Sequence, residues 1–490
     1  MRGLVLLVLL AAGCGGGADE APRTRGEVPA TPPAVVGRLE RPPTIVLVTI
    51  DTLRREHLGC YGYFRPTSPH IDALAGESLV FERALASMAS TLPSHLTMLT
   101  GLYPHQHGMT SNKRGASVPY RSELGRLSAA AVLRECGYET AAFVSAIPLN
   151  AGTGIATGFD LFVAPRPPED EDSLFTAAET NEHVTRFLRR RRSEKPLFLF
   201  VHYFEPHEPC DPPAPWAGMF TTDAHQLDWL RARRLDPAAL TARFGASPRI
   251  REHFLGGTGP EVTLEEVADL VNRYDGEVRE VDEAVGVLRS ALGQRGLWDG
   301  AIVALCADHG QSLGENVWFG HGTITDLNTY VPLVLRLPPP LAPRGRVAAL
   351  VSLADLMPTI LGRFELPGSE LLRGQFEGED VLSGTFTRAH ALVTRTADPI
   401  KDGEDGPQYG LVSGHWKYIH RPQGRDELYD LTGAGEFVDV LAREPEVGAR
   451  LRAETQALLA RRPALLEEEG ATPDAKMLEG LKELGYAGDD

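Results

Sequence analysis

Uninterrupted apolar runs rich in β-branched residues recur along the first three quarters of the chain. Such runs are typical of strands buried on both faces of a parallel sheet, since half-exposed strands alternate apolar and polar positions. The segments between the runs carry apolar residues at helical spacing. This pattern predicts strands at residues 44–50, 140–144, 196–202, 301–306 and 331–337, and helices at residues 124–136, 177–192 and 262–296.

Strands that alternate with helices predict an α/β fold with a mostly parallel central sheet flanked by helices. The C-terminal part has a different pattern, because residues 411–419 indicate a hairpin and residues 446–469 a helix. We therefore predict one large domain over residues 44–387 and a small α+β subdomain with a tail over residues 388–490. Residues 216–261 show no clear periodicity and are predicted to form an irregular insertion or lid.

The beginning of the chain has the features of an export signal. Residues 4–12 form an apolar segment that follows Arg2 and is too short to span a bilayer. Small residues then lead to Cys14, as in a bacterial lipoprotein signal. We expect a signal peptide at residues 1–13, a lipid anchor on Cys14 and a flexible linker at residues 14–43. The chain would then be an exported, membrane-anchored lipoprotein of the periplasm or cell surface; the alternative is an ordinary signal peptide with a chance cysteine.

The charge balance narrows the range of partners. The chain carries 49 basic and 66 acidic side chains, which gives a net charge of −17 at pH 7. Nucleic acid is therefore not an expected partner, because phosphate backbones attract basic surfaces. An exported chain could form disulfides, but neither pairing nor oligomeric state follows from the sequence. No metal-ligand spacing is present among the other cysteines, Cys60, Cys136, Cys210 and Cys306.

Polar side chains follow three of the predicted strands. Asp51 and Asp308 come directly after a strand, and His207 follows a third strand after a short loop. The carboxyl ends of parallel strands meet at one edge of a sheet, so these side chains are expected to lie close together. Asp308 and His309 together offer an oxygen and an imidazole ligand to a cation. Gly310 would let this loop bend sharply.

Thr91 is predicted to lie at the N-terminus of a helix. Pro93 suits the first turn, where its missing N–H group has no helical partner, and Gly101 suits the end. Free N–H groups and the helix dipole favour an anion at this end. A hydroxyl beside a metal there could ionise and become a nucleophile. Taken alone, the motif favours Thr91 as an N-terminal cap.

Together these motifs resemble the signature sequences of the sulfatase family. The match covers roughly residues 44–440 and keeps the order of the family, which makes it far more specific than any single motif. It implies an alkaline-phosphatase-like fold and an ester hydrolase of class EC 3.1. The matching stretches are residues 48–54, 58–62, 67–72, 99–108, 274–278, 308–310, 319–322, 331–334 and 427–431.

The chain departs from the family pattern at the nucleophile. The family has a Cys or Ser that is converted to formylglycine, and alignment on Pro93 puts Thr91 at this position. Threonine cannot become formylglycine, so none is expected. A sulfated threonine has no second hydroxyl and must be attacked at sulfur; direct attack at phosphorus is usual in relatives with a plain Ser or Thr. The sequence therefore favours phosphoryl transfer through a phospho-Thr91 intermediate.

Other departures lie around the same position. The arginine that usually follows the proline by two residues is His95, and the second aspartate, beside Asp51, is Thr52. The usual lysine–histidine segment is replaced by residues 145–148.

The resemblance implies a complete set of site residues. It implies one divalent ion (calcium, manganese, magnesium or zinc) and a sulfate or phosphate ester as substrate. The metal ligands would be Asp51, Thr91, Asp308 and His309. The catalytic residues would be Thr91, His207 and His321, and the substrate-binding residues His95, His207 and His321.

Two other functions stay open at this point. The ligand set is similar to that of threonine-dependent relatives that transfer phosphoglycerol or phosphoethanolamine groups, so the chain could be a transferase acting on envelope acceptors. It could also be a non-catalytic binding protein that keeps the sulfatase fold. Release of free sulfate or phosphate separates a hydrolase from a binding protein, and capture of the head group on an added acceptor identifies a transferase.

Overall fold

The computed structural model describes residues 32–35, 37–165, 174–256, 259–395, 406–433 and 435–461. The predicted signal peptide, Cys14, most of the predicted linker and the end of the last predicted helix lie outside these ranges. Within them, no helix has the length and apolar character that a bilayer span requires. The thiols of the four described cysteines are not joined in disulfides.

Strands in the described part of the chain form a large sheet, a smaller antiparallel sheet and a short hairpin. In chain order they are β1 Ile45–Ile50, β2 Leu79–Leu85, β3 Glu139–Phe143, β4 Leu161–Val163, β5 Leu197–Tyr203, β6 Ile302–Ala307, β7 Ser312–Leu313, β8 Phe319–Gly320, β9 Tyr330–Val331, β10 Leu333–Arg336, β11 Gly345–Ser352, β12 His390–Arg395, β13 Gln408–Ser413, β14 Trp416–His420 and β15 Glu427–Asp430.

The large sheet has the order β11-β2-β10-β6-β1-β5-β3-β4, with β9 paired to β2. Strand β1 lies in its middle, parallel to both β5 and β6, with Thr49 opposite His202 and Cys306. All six residues of β1 are buried, as expected for an apolar strand covered on both faces. The ends of β1, β5 and β6 therefore meet at one edge, and the predicted α/β fold class is confirmed.

Two features of this sheet differ from the expectation. Strand β2 escaped prediction because Glu82 and Arg83 interrupt its apolar run. The predicted strand at residues 331–337 is divided at Pro332 into β9 and β10, and β10 runs antiparallel to β6. Parallel pairing of two successive strands requires a crossover connection, usually a helix. The connection from β6 to β10 contains only a short hairpin and one helical turn, so the two strands pair antiparallel.

Helices cover both faces of the large sheet. The longest, α10, begins after a capping box formed by Thr263 and Glu266 and packs against α6. The helices are α1 Pro69–Ala75, α2 Thr91–Thr100, α3 Pro104–His107, α4 Asn112–Ser117, α5 Ala129–Glu135, α6 Ala177–Arg190, α7 Ala224–Ala232, α8 Pro237–Phe244, α9 Pro248–Ile250, α10 Leu264–Gln294, α11 Asp326–Thr329, α12 Leu356–Leu361, α13 Glu370–Gln375 and α14 Pro445–Ala460.

The segment at residues 216–261 is not irregular as predicted. It contains α7, α8 and α9, followed by a π-helical turn at Arg251–Leu255. Asp223, Asp236 and Ser247 each accept a hydrogen bond from a backbone N–H group in the first turn of one helix. Helices this short show too few turns for a clear periodicity, so their caps were the informative signal.

The C-terminal part contains the small antiparallel sheet β12-β13-β14-β15 and helix α14. The predicted hairpin is confirmed as β13 and β14, which pair from Tyr409 with His420 to Ser413 with Trp416. Part of the predicted linker is held against the large domain, since the Val35 N–H group donates to the Leu382 carbonyl at 3.0 Å and the Leu39 N–H group donates to the Arg363 carbonyl at 2.8 Å.

Candidate active site

Asp51, Asp308 and His309 meet at the edge where β1 and β6 end. His309 Nε2 lies 3.4 Å from Asp308 Oδ2 and 3.7 Å from Asp51 Oδ1. All three side chains are fully buried. Their ligand atoms lie close enough together to hold one metal ion. The structure thus brings together three of the four predicted ligand residues from two separate segments of the chain.

The two carboxylates have opposite pKa shifts. Burial alone would raise the pKa of Asp51, but the contact with His202 and the positive potential of the nearby histidines bring it below its ordinary value. Burial raises the pKa of Asp308 well above its ordinary value, and the negative charge of Asp51 raises it further. Two carboxylates this close oppose each other's ionisation, and a divalent cation between them would relieve that repulsion.

The side-chain atoms that could bind a metal at this edge suit a divalent cation. Within the described chain, Asp308 Oδ2, His309 Nε2 and Thr91 Oγ1 are buried and make no hydrogen bond. Buried polar atoms are nearly always satisfied, so Asp308 Oδ2 and His309 Nε2, which lie 3.4 Å apart, fit a bound ligand. Thr91 Oγ1 belongs to the helix whose first turn contacts Asp308. Two carboxylates, one imidazole and one hydroxyl form a mixed oxygen and nitrogen set that suits several divalent ions.

Thr91 is the first residue of α2, as predicted. Its hydroxyl caps nothing, because Ser90 occupies the cap position and Thr91 Oγ1 has no partner in the described structure. The first turn of α2 is fixed against Asp308, since Ser94 Oγ donates a hydrogen bond to the Asp308 carbonyl at 2.6 Å. The cap interpretation of Thr91 therefore has no support from the contacts of its hydroxyl.

The first-turn N–H groups of α2 are less available to an anion than expected. The Leu92 N–H group donates to Asn112 Oδ1 at 2.9 Å, and the Ser94 N–H group donates to the Ser90 carbonyl at 3.1 Å. Pro93 has no N–H group. The sequence predicted several free N–H groups at this end, but the N–H groups of Leu92 and Ser94 are already used within the protein.

His95 is positioned by the protein on both sides of its ring. Its Nδ1 donates to the Thr91 carbonyl at 2.7 Å, and the Thr49 hydroxyl lies 2.9 Å from its Nε2. Burial and the neighbouring His202 lower the pKa of His95 to about 3, so the ring is neutral. These contacts favour a positioning role beneath Thr91, and the substrate contact predicted for His95 stays a prediction.

His202 belongs to the site but was not among the predicted residues. It lies on β5 beside Thr49, and its Nε2 is 3.5 Å from Asp51 Oδ2. It orients this carboxylate from the side opposite to His309, which is a common arrangement around metal ligands. A histidine at the end of an otherwise apolar strand was the signal that could have identified it.

His207 and His321 form a second group beside the first. Their Nε2 atoms are 3.1 Å apart, and the rings of His309 and His321 lie 4.6 Å apart. His207 Nδ1 donates to the Glu208 carbonyl at 2.7 Å, and His321 Nδ1 lies 3.3 Å from the Ala89 carbonyl, two residues before Thr91. Because carbonyls only accept hydrogen bonds, Nδ1 carries a proton on both rings, and the facing Nε2 atoms are left to share one further proton.

The loop after Asp51 is held by side chains from two distant segments. Thr52, in place of the usual aspartate, has a left-handed backbone with a φ of 52°, and its N–H group donates to Asp308 Oδ1 at 3.3 Å. The Tyr274 hydroxyl donates to the Thr52 carbonyl at 2.8 Å. Arg54 is fully buried and pairs with Glu315 at 2.8 Å. The motif at residues 274–278 therefore supports this loop.

A sulfatase family model matches residues 43–366, about two thirds of the chain. The chain belongs to the sulfatase family. It is 23% identical over 496 residues to an arylsulfatase of Clostridium perfringens, a match that covers 89% of this chain and 98% of that protein. It is 24% identical to the multifunctional alkaline phosphatase superfamily protein PehA of Trinickia caryophylli, over 80% of this chain and 88% of that protein.

A solved structure supports the same fold. The phosphonate monoester hydrolase of Agrobacterium radiobacter superposes with a TM-score of 0.70 and 23% identity, covering 86% of this chain and 96% of that chain. The central sheet therefore has the alkaline-phosphatase-like arrangement that was expected. Family membership makes this sulfatase an ester hydrolase of class EC 3.1. Members of the family depend on metal, and the buried group of Asp51, Asp308 and His309 could bind it here.

Proposed function

We propose that this sulfatase-family chain hydrolyses sulfate or phosphate esters with Thr91 as the nucleophile and one divalent cation held by Asp51, Thr91, Asp308 and His309. The proposal rests on three buried atoms that could bind a metal ion and that have no hydrogen-bond partner within the described chain. They are Asp308 Oδ2, His309 Nε2 and Thr91 Oγ1. A bound divalent cation would lower the pKa of the Thr91 hydroxyl and offset the charge on the ester oxygens.

Thr91 reacts as the alkoxide, after its hydroxyl proton has passed to solvent, and it leaves again as the alkoxide in the second step. The first chemical step forms a bond from Thr91 Oγ1 to the phosphorus or sulfur atom. The bond from this atom to the leaving oxygen breaks at the same time. His207 and His321 face each other through their Nε2 atoms, so they can share one proton between them. The pair donates this proton to the leaving oxygen, which departs as an alcohol.

The second step regenerates the enzyme. A water molecule attacks the same phosphorus or sulfur atom and gives a proton to the histidine pair, while the bond to Thr91 Oγ1 breaks. His95 keeps the first turn of α2 in register by donating to the Thr91 carbonyl. His202 orients the Asp51 carboxylate and, with the other nearby histidines, keeps it charged despite its burial. Each residue thus ends the cycle in its starting state.

Chemistry at phosphorus is the preferred form of this proposal. A threonine ester has no second hydroxyl on its carbon, so the group must be released by attack at phosphorus or sulfur rather than by elimination at carbon. The arylsulfatase of Clostridium perfringens and the phosphonate monoester hydrolase of Agrobacterium radiobacter are named for sulfur and phosphorus substrates respectively. Both ester types therefore belong in the first substrate panel.

The test is a product assay on the metal-loaded chain. We expect nitrophenol with a phosphate monoester from nitrophenyl phosphodiesters, nitrophenol with an alkyl phosphonate from nitrophenyl phosphonate monoesters, and a lower yield of sulfate from the aryl sulfate. Thr91→Ala should lower turnover at least about 10³-fold, while the matched variant Thr91→Ser keeps measurable turnover. Full turnover by Thr91→Ala would refute the assignment of the nucleophile. Appearance of the head group on added glycerol instead of water would identify a transferase.

A further inference from the structure

Asn328 connects three segments around the active site. It lies on α11, and its carbonyl accepts a hydrogen bond from the Gly310 N–H group at 2.8 Å. Its side-chain Nδ2 donates to the Ser312 hydroxyl at 3.3 Å, and its Oδ1 accepts from the Thr323 N–H group at 3.0 Å. Gly310 follows His309, and Thr323 lies two residues after His321. The side chain is fully buried, so these contacts are shielded from water.

The loop that carries His309 is packed directly on α11. A β-carbon at Gly310 would come within 2.1 Å of the Leu327 carbonyl oxygen, so any larger residue would push the loop and the helix apart. The sequence suggested that Gly310 permits a sharp bend, but the structure shows that it permits this close approach. The position of His309 therefore depends on the position of α11.

Helix α11 is fixed in turn by the C-terminal sheet. Lys417 on β14 is fully buried, and its Nζ donates to the Ile324 carbonyl at 2.7 Å and to Asp326 Oδ1 at 2.8 Å. Lys417 also pairs with Glu436, whose second oxygen accepts from the Asp326 N–H group at 2.7 Å. Three ionisable side chains from three segments thus meet at the first residue of α11.

The Lys417 ammonium stays charged in this position. Burial alone would lower its pKa, but the carboxylates of Asp326 and Glu436 outweigh this effect and raise the pKa above its ordinary value. A buried charge that loses its partners is strongly unfavourable. Lys417 therefore ties the start of α11 to β14, because a shift that broke these contacts would leave the buried ammonium with fewer partners.

We propose that Asn328 is a positioning residue for His321, and that Lys417 positions His309 by holding α11 against the C-terminal sheet. The roles of these two histidines rest on the proposed function. The C-terminal subdomain would then be part of the catalytic apparatus, although none of its residues touches the substrate.

The two variants Asn328→Ala and Lys417→Met test separate parts of this inference. Asn328→Ala removes the side-chain contacts to Ser312 and Thr323 but keeps the carbonyl that holds Gly310. We expect kcat/KM to fall about 10–100-fold while cation affinity stays unchanged. In a His321→Ala background the same substitution should cause no further loss, because a residue that acts through His321 has nothing left to position. A purely structural role would give additive losses.

Lys417→Met removes the contacts that tie the start of α11 to β14. Calorimetric titration of the apo chain with Mn²⁺ or Zn²⁺ should show affinity about 10–100-fold weaker than in the unsubstituted chain. The matched control is Arg425→Met, which breaks the exposed pair of Arg425 with Asp439, 2.7 Å apart in the same subdomain, and should leave cation affinity unchanged. Because this titration requires no turnover, it stays informative if the proposed reaction is wrong.

A folding defect of Lys417→Met would not prevent the measurement of cation affinity, because a second variant is available. If Lys417→Met fails to fold, the charge-free triple variant Lys417→Met, Asp326→Asn and Glu436→Gln leaves no ion buried alone and should fold. It should show the same loss of cation affinity. Unchanged cation affinity in a folded Lys417 variant would overturn the role of Lys417, and additive losses of Asn328→Ala and His321→Ala would overturn the role of Asn328.

Discussion

Asp275 and Asp308 are two fully buried carboxylates of the same domain with opposite surroundings. Asp275 Oδ1 lies 2.7 Å from His57 Nδ1, and its Oδ2 accepts hydrogen bonds from the Tyr63 hydroxyl and from Arg65, both at 2.7 Å. Asp308 Oδ1 accepts from two backbone N–H groups, but its Oδ2 accepts no hydrogen bond within the described chain.

We interpret Asp275 as a structural carboxylate and Asp308 as one that binds a ligand. A buried charge is tolerated when its partners are complete, as around Asp275, which then ties α10 to the loop after β1. An incomplete partner set around a buried carboxylate is costly, and a bound cation would complete the set around Asp308. Sequence position alone does not reveal the difference, since Asp275 and Asp308 both lie in motifs that match the sulfatase family.

The largest expected effect comes from Asp308→Asn. We expect turnover to fall at least about 10³-fold, because one cation ligand and its charge are lost. The thermal midpoint of the metal-free chain should stay the same or rise, since a carboxylate that is costly to bury is replaced by a neutral amide. Turnover, calorimetric cation binding and thermal unfolding of the apo chain measure the three effects. A large loss of apo stability would contradict the functional assignment of Asp308.

The reverse pattern is expected for Asp275→Asn. This substitution leaves the buried Arg65 without its carboxylate partner, so we expect the free energy of unfolding to fall by about 3–5 kcal/mol. Cation affinity of the folded chain should be unchanged. Urea unfolding gives the stability, and titration below the unfolding transition gives the affinity. If Asp275→Asn abolished cation binding in the folded state, the distinction between the two carboxylates would fail.

The smallest effect concerns Glu280, a third buried carboxylate. Burial and the neighbouring Glu205 raise its pKa from 4.5 to about 8. Between these two values Glu280 is protonated in the folded chain and ionised in the unfolded chain, so the folded state binds more protons and stability falls as pH rises. Glu280→Gln should raise the thermal midpoint by roughly 1–2 °C at pH 9 and leave it unchanged at pH 4. A constant difference across this range would refute the titration of Glu280.

The strand ends and the helix at Thr91 were predictable because their signals are local. The apolar runs that precede Asp51 and Asp308 and the Pro93–Gly101 punctuation of α2 are read directly from neighbouring residues. His202 was missed because only the register between β1 and β5 places it beside Asp51.

The support of the site from the C-terminal part could not be predicted. Asn328 and Lys417 are separated by 89 positions in the chain, and their connection exists only in three dimensions. Nothing in the local sequence of Lys417 distinguishes a buried ammonium from an ordinary lysine on an exposed strand. The same limit applies to His95, where only the contacts with Thr49 and Thr91 indicate a positioning role.

The most direct measurement of the central claim is a search for the group transferred to Thr91. The metal-loaded chain is mixed with a reactive aryl ester, quenched in acid within the first turnover and digested for peptide mass spectrometry. The account predicts one added phosphoryl or sulfuryl group on Thr91, which disappears in Thr91→Ala and accumulates in His207→Ala when a leaving group that needs no protonation is used. An active chain whose intermediate lies on another residue, or that shows inversion at a chiral phosphorus centre without any adduct, would contradict it.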